Sequence, residues 1–306
     1  MNQYYSHGTT MKSLLLFLLL LPVTIFYAQE ADSEYPPVKV PANYTAQKNV
    51  AYTKVDDWTG TLDMYVPKDV KQPTALIIDV HGGGWYHGVK ESHYDFDVFF
   101  KQNWAVANVE YRLAGQSRAP AALEDVRCAL IYLITNAAQY NIDPNKIVIM
   151  GNSAGGHLAL MAGLLGNNHL FDKNCTNFDH IKVMAIIDKY GGADLRKPEK
   201  WLTKSLKTWV KDKIDNSSFM SSISPITYVT KNSPPIIIIH GDADPTISYS
   251  QSVDLSKKLE EFSVVHDFIT VQGGGHGGFT DKENDDINKA IVEFLRGLGI
   301  DKPHLD

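Results

Sequence analysis

Apolar residues fall along this chain in two rhythms. Short, nearly unbroken runs rich in β-branched residues recur at 75–80, 104–109, 146–150, 183–188, 235–239 and 265–271. Runs of that length and composition read as buried strands. Two alternating runs, 50–55 and 59–66, flank Asp56-Asp57-Trp58 and predict an antiparallel hairpin. Between the runs lie longer segments of helix formers, at 92–102, 121–140, 201–211, 250–262 and 283–298. Strands that alternate with helices imply a mostly parallel, twisted sheet, here of about eight strands, with right-handed crossovers and helices on both faces.

The amino terminus departs from this pattern. Met11-Lys12 precedes the run Leu14-Leu15-Leu16-Phe17-Leu18-Leu19-Leu20-Leu21, which ends at Pro22. A positive charge followed by a short leucine run reads as a signal peptide over residues 1–28, with cleavage after Ala28, although Phe26 is not the small residue such sites prefer. The ten residues ahead of Met11 carry no basic charge, which allows a start at Met11. The run is too short for a comfortable membrane span. The expectation is an exported protein, periplasmic or secreted, with no stable membrane anchor after cleavage. Residues 29–49, polar and bearing Pro36, Pro37 and Pro41, read as an arm ahead of one domain at 50–306.

Composition narrows the partners. The formal net charge is −6, and no basic patch or acidic tail stands out, so nucleic acid is not expected. Cys128 and Cys175 are the two cysteines, and neither belongs to a C-x-x-C, so no thioredoxin site or zinc cluster is implied. Whether they pair is open at this level, as is the oligomeric state. Cys128 falls within a helical pattern and reads as a buried residue.

Three glycine-rich junctions carry the chemistry. The strand 146–150 runs into Gly151-Asn152-Ser153-Ala154-Gly155-Gly156, followed by helix formers from His157. Strand, tight turn and helix make G-x-S-x-G a nucleophile turn, with small neighbours where side chains would collide. The strand 75–80 runs into His81-Gly82-Gly83-Gly84-Trp85, a loop whose backbone N–H groups can turn toward a developing oxyanion. His81 reads as a brace for that loop. The strand 265–271 leads to Gly273-Gly274-Gly275-His276-Gly277-Gly278, where glycines let an imidazole swing over the sheet. A carboxylate is expected after strand 235–239, where His240-Gly241-Asp242-Ala243-Asp244 offers two candidates; Asp188 and Asp194 read as loop carboxylates. Arg112 and Asp125 are expected to pair and brace the loop after strand 104–109. The excursion 195–233 is expected to wall the mouth of the site.

The order serine, aspartate, histidine is that of α/β-hydrolases. His81-Gly82-Gly83-Gly84-Trp85, Gly151-Asn152-Ser153-Ala154-Gly155-Gly156-His157 and Tyr111-Arg112-Leu113 resemble the hormone-sensitive-lipase-like branch of α/β-hydrolase esterases, and within it exported acetyl- and feruloyl-esterase-like proteins. The resemblance runs from about Val50 to the C-terminus. It implies an α/β-hydrolase fold. It also implies Asp244 as the acid, the last aspartate of an H-G-x-x-D turn, and oxyanion donors at the N–H groups of Gly83, Gly84 and Ala154. Cap-bearing members carry a longer helical segment before the first strand, so no large cap domain is expected. The expected activity is ester hydrolysis by Ser153, His276 and Asp244 through an acyl-enzyme, without metal or cofactor. Substrates are expected to be small-molecule or glycan esters with short or aromatic acyl groups, bound near Trp85 and Tyr86. An amide hydrolase, such as a serine peptidase or formamidase, would use the same machinery. A binding protein on this scaffold would normally lack one of the three residues.

Overall fold

The computed structural model describes Met1 and residues 35–176, 178–197 and 200–302. Beyond Met1, the signal segment expected over 1–28 lies outside the described residues. Eight strands form one sheet: β1 (Tyr44–Val55), β2 (Trp58–Pro67), β3 (Thr74–Val80), β4 (Ala105–Val109), β5 (Ile142–Asn152), β6 (Ala185–Lys189), β7 (Ile236–Gly241) and β8 (His266–Val271). The order across the sheet is β1-β2-β4-β3-β5-β6-β7-β8. β1 and β2 pair antiparallel, as do β2 and β4; every other pairing is parallel. Parallel strands need crossovers, which is why helices intervene. They are α1 (Asp97–Phe100), α2 (Ala121–Thr135), α3 (Ala154–Leu164), α4 (Lys200–Val210), α5 (Ser217–Ser222), α6 (Ser250–Glu261) and α7 (Asp281–Gly297). Among the described residues this is an α/β-hydrolase fold without a separate large cap.

The core lies on both faces of the sheet. Leu76, Ile78, Ile149 and Ile186 point to the side covered by α2, α3 and α6. Ile77, Val148, Ile187 and Ile237 point to the other, against Phe99 and Phe100 of α1 and Ile287 and Ile291 of α7. Strands buried on both faces need no polar alternation, hence the unbroken apolar runs. α7 opens on a capping box: the Thr280 hydroxyl accepts from Glu283 N, and Thr280 N donates to the Glu283 carboxylate at 2.7 Å.

Three boundaries differ from expectation. β1 begins at Tyr44, so the arm ends sooner than 49; Tyr44 is buried against Phe100 and its hydroxyl donates to Trp104 O. The helix expected over 92–102 shrinks to the 3-10 turn Lys90–Ser92 and α1, because His93 is held extended beside Asp79. The helix expected over 121–140 stops at Thr135. There the Thr135 hydroxyl takes the Ile131 carbonyl and the Asn136 amide takes that of Tyr132, local bonds that compete with the helix ladder.

Two cross-ties fix α2. Arg112 makes a forked pair with Asp125, Nε and Nη2 lying 2.7–3.1 Å from its oxygens, and Arg112 N donates to the same carboxylate at 2.8 Å. Cys128 of α2, itself buried, forms a disulfide with Cys175, 47 residues along the chain. Among the described residues no helix is long and apolar enough to cross a membrane.

Candidate active site

The carboxyl ends of β3, β5, β6, β7 and β8 lie along one edge of the sheet, so the loops that follow them meet there. Ser153 stands in the turn from β5 to α3 with φ 55° and ψ −121°. A non-glycine residue held in that region is strained and must be fixed by its surroundings. Its N–H donates to Lys189 O at 2.9 Å, and its carbonyl accepts from His157 N at 3.0 Å. The neighbouring glycines make the turn possible by close approach. A Cβ on Gly155 would lie 2.0 Å from Val80 O, and one on Gly151 would lie 2.4 Å from the Gly155 carbonyl group.

The structure brings Ser153, His276 and Asp244 together. Ser153 Oγ is 2.7 Å from His276 Nε2, and His276 Nδ1 is 2.7 Å from Asp244 Oδ2. A carboxylate can only accept, so Nδ1 carries the proton and Nε2 is left to accept from the serine hydroxyl. Asp244 is fully buried at its side chain. It also accepts from His240 Nε2 at 3.1 Å and from the N–H groups of Thr246 and Ile247 at 2.7 and 3.0 Å. Burial pushes its carboxyl up, but the hydrogen bonds from His240 and His276, with the Thr246 N–H, outweigh burial and hold it well below the usual carboxylate range. Asp242 is exposed, and its Oδ1 accepts from Gly273 N at 2.6 Å. It braces the histidine loop and does not reach the imidazole.

Sequence reasoning gave no role to His240 or Tyr190. His240 Nδ1 accepts from the Ser252 hydroxyl at 2.7 Å, which commits Nε2–H to Asp244 and Ile247 O. The Tyr190 ring meets the His276 ring at 4.9 Å, tilted by 61°. A histidine opening the H-G-x-x-D turn was the signal available for the first. Nothing local in the sequence marks the second.

Beside Ser153 lies the glycine loop. Gly83 has φ 114°, and a Cβ there would sit 1.8 Å from His87 O, so no other residue fits. Gly84 has φ 56°. Gly83, Gly84 and Ala154 line one pocket with Ser153 and His276, and their N–H groups find no acceptor among the described residues. His81 braces the loop as expected. It is fully buried, stacks on Tyr111 at 4.2 Å, and its Nδ1 is 2.7 Å from Gly82 O.

The pocket holds about 270 Å³ and is open on one side, with Tyr86, Ser205 and Ile247 on its walls. Ser205 comes from α4, so the excursion 195–233 does contribute a wall. Tyr86 is 41% exposed at the rim. Trp85 lines this pocket as well, but it is 1% exposed and presents little surface to it. The indole stacks on Trp209 of α4 at 4.7 Å, and its N–H donates to His157 Nδ1 at 3.2 Å. An indole gains more from a dry slot with a partner for its N–H than from the pocket wall. His157 in turn donates Nε2–H to Ile223 O at 2.8 Å, and burial lowers its pKa to about 4, so it stays neutral.

Comparisons with known proteins agree with this architecture. The BD-FAE family matches residues 62–259, more than half of the chain, and a TAP-like protein family matches residues 219–304. Esterase LipC of Mycobacterium tuberculosis is 30% identical over 244 residues, which is 76% of this chain and 60% of LipC. The chain spans about half the length of the curated relatives it matches. A truncated carbohydrate esterase from gut microbiota superposes with a TM-score of 0.73 at 29% identity, covering 85% of this chain and 99% of that one. A bifunctional GH43-CE protein of Bacteroides eggerthii gives 0.71 at 27% identity, covering 83% of this chain and 38% of its own. The chain belongs to the BD-FAE family and carries its α/β-hydrolase fold.

Proposed function

We propose that this protein is a serine carboxylesterase acting on short-acyl or aromatic-acyl esters of carbohydrates. The observation that carries the reading is the unbroken hydrogen-bond line from Ser153 through His276 to Asp244. His276 takes the proton from Ser153 as its Oγ attacks the ester carbonyl carbon. Asp244, held ionised by four donors, keeps the imidazole in the accepting tautomer and stabilises its charged form. The N–H groups of Gly83, Gly84 and Ala154 donate to the oxyanion, which exists only once attack has begun. Collapse expels the alcohol, protonated by His276. Water, activated by the same imidazole, then releases the acid.

The substrate class rests on shape and likeness. A pocket of about 270 Å³ lies just below the range typical of sites for drug-sized ligands, and it is open. A long acyl chain would leave methylenes in water, each forfeiting roughly 0.8 kcal/mol. With Trp85 turned inward, Tyr86 is the ring available to an aromatic acyl group or a sugar. The similar solved structures described as a carbohydrate esterase and a GH43-CE protein favour a glycan alcohol. The reading includes export, supported by the leucine run near the N-terminus and by the Cys128–Cys175 disulfide, a bond that persists in oxidising compartments.

The test is kcat/KM across p-nitrophenyl esters from acetate to palmitate, with acetylated xylan, a feruloylated glycan and matching amides alongside. Acetate to butyrate should lead. A preference for ten carbons or more would refute the open pocket, and faster release from amides would make the amide-hydrolase reading the better one.

A further inference from the structure

Behind the nucleophile turn, on the α1 and α7 face of the sheet, lies a second cavity of about 220 Å³. Asp79, His93, Asp95, Asn152, Lys189 and Tyr190 line it. Asp79 of β3 is fully buried. Its Oδ2 accepts from His93 Nδ1 at 2.5 Å, and its Oδ1 has no partner among the described residues. His93 and Asn152, the residue before Ser153, line this cavity together. Asn152 Oδ1 is likewise buried and without a hydrogen-bond partner.

Asn152 touches two of the loops that surround Ser153. Its Nδ2 donates to Tyr190 Oη at 3.4 Å, and the Tyr190 ring packs on His276. Its backbone and side-chain oxygens lie 3.1 and 3.2 Å from where a Cβ on Gly82 would be, so the glycine loop rests directly on it. We propose that His93, paired with Asp79, is a positioning residue: protonated, it holds the Asn152 carboxamide and through it the nucleophile turn and the glycine loop. This rests on the reading of Ser153 as nucleophile.

The chemistry of the imidazole gives the proposal its direction. With both nitrogens protonated, Nδ1–H serves Asp79 and the second ring N–H needs an acceptor, which the buried Asn152 Oδ1, lining the same cavity, would supply. Loss of the Nε2 proton leaves a lone pair facing a carbonyl oxygen, and the contact turns repulsive. The titratable groups around the ring are Asp79 on β3, Asp95 in its own loop, and Lys189 and Tyr190 at the end of β6, where burial lowers the Lys189 pKa and raises that of Tyr190; Asn288 of α7 is neutral. Burial pushes the His93 pKa down, but the charge and hydrogen bond of Asp79 outweigh burial and raise it, against an opposing push from Lys189. A raised histidine stays charged through the ordinary histidine range. The hold is therefore fully present below the ordinary histidine value and is lost as pH rises through the raised one.

The experiment is the pH dependence of kcat and KM on p-nitrophenyl acetate for wild type, His93→Gln and Asn152→Asp, with thermal unfolding as the check of folding. The wild type should lose kcat on the alkaline side. His93→Gln should lose about tenfold in kcat on the acid side of that alkaline limb with KM within about twofold, since small misplacements near reacting atoms are costly. It should also lack the alkaline limb. Asn152→Asp, whose carboxylate grips the imidazolium harder, should move that limb to higher pH. A His93→Gln profile that keeps the limb overturns the proposal. Titration of the His93 ring and the Asn152 carboxamide by NMR, in protein carrying Ser153→Ala, needs no turnover. A shared inflection above the ordinary histidine range supports the proposal, and separate or absent inflections overturn it. If the wild type hydrolyses no ester, the esterase reading fails while this titration still decides.

Discussion

Two carboxylates two residues apart meet different fates, and burial separates them. Asp244 has no exposed side-chain surface and four donors; Asp242 is exposed and accepts from Gly273 N. Asp244→Asn should lower kcat by about 10⁴, as loss of the orienting acid does in serine proteases, because the imidazole loses its tautomer. Asp242→Asn keeps an oxygen that can accept from Gly273 N and removes only a charge on an exposed residue, so it should leave kcat within a few-fold. Steady-state kinetics of the two proteins checks the ranking. From sequence the two competed because both lie in one turn; Asp242 read as a turn or N-cap residue, and the family resemblance pointed to Asp244. How little of Trp85 is exposed could not be read for a related reason: adjacency to a glycine loop does not say which way a ring points. The glycines of the nucleophile turn were legible, since crowding is a property of the turn itself. Gly155→Ala places a methyl 2.0 Å from the Val80 carbonyl oxygen, where neither backbone can yield. It should fail to fold or lose turnover, read by thermal unfolding and activity together.

At the scale of elements, the ends of strands carry the consequences. Strand runs and their order were legible because buried parallel strands must be apolar throughout. Helix ends were less so, since the Asp79–His93 contact that shortens the segment at 92–102 joins residues from different elements. Asp188, at the end of β6, is a further case. It is fully buried, its Oδ1 accepts from Gly191 N at 3.0 Å, and its Oδ2 has no partner. Burial raises its pKa to about 7, against the opposing influence of His240 and the Gly191 N–H. A carboxyl with a raised folded-state pKa stabilises most below its unfolded value, near ~4. That contribution is lost as pH climbs from there to about 7 and is gone above it. Asp188→Asn cannot ionise. It should therefore narrow the difference in unfolding free energy between pH 5 and pH 8, by on the order of a few kcal/mol. Urea unfolding at the two pH values measures this; an unchanged difference would mean that Asp188 is ionised at neutral pH.

For the whole molecule, the disulfide ties α2 to the loop that follows α3 across 47 residues of chain. Closing a loop of that length restricts the unfolded chain and is worth roughly 2–4 kcal/mol. The double variant Cys128→Ala, Cys175→Ala should unfold at lower temperature, yet retain near-normal kcat below its transition, because neither sulfur lines the pocket. The pairing could not be read from sequence, where two cysteines carry no geometry. The overall class could, because three glycine-rich junctions following predicted strands fit few architectures other than this one. The central claim is that all of this scaffold serves one nucleophile. Its most direct test is intact-mass and peptide-mass analysis after treatment with a fluorophosphonate. The account predicts one adduct per chain, on the peptide bearing Ser153, with parallel loss of ester turnover. It further predicts no adduct on the folded Ser153→Ala protein. An adduct on another serine, or turnover that survives full labelling of Ser153, would contradict it.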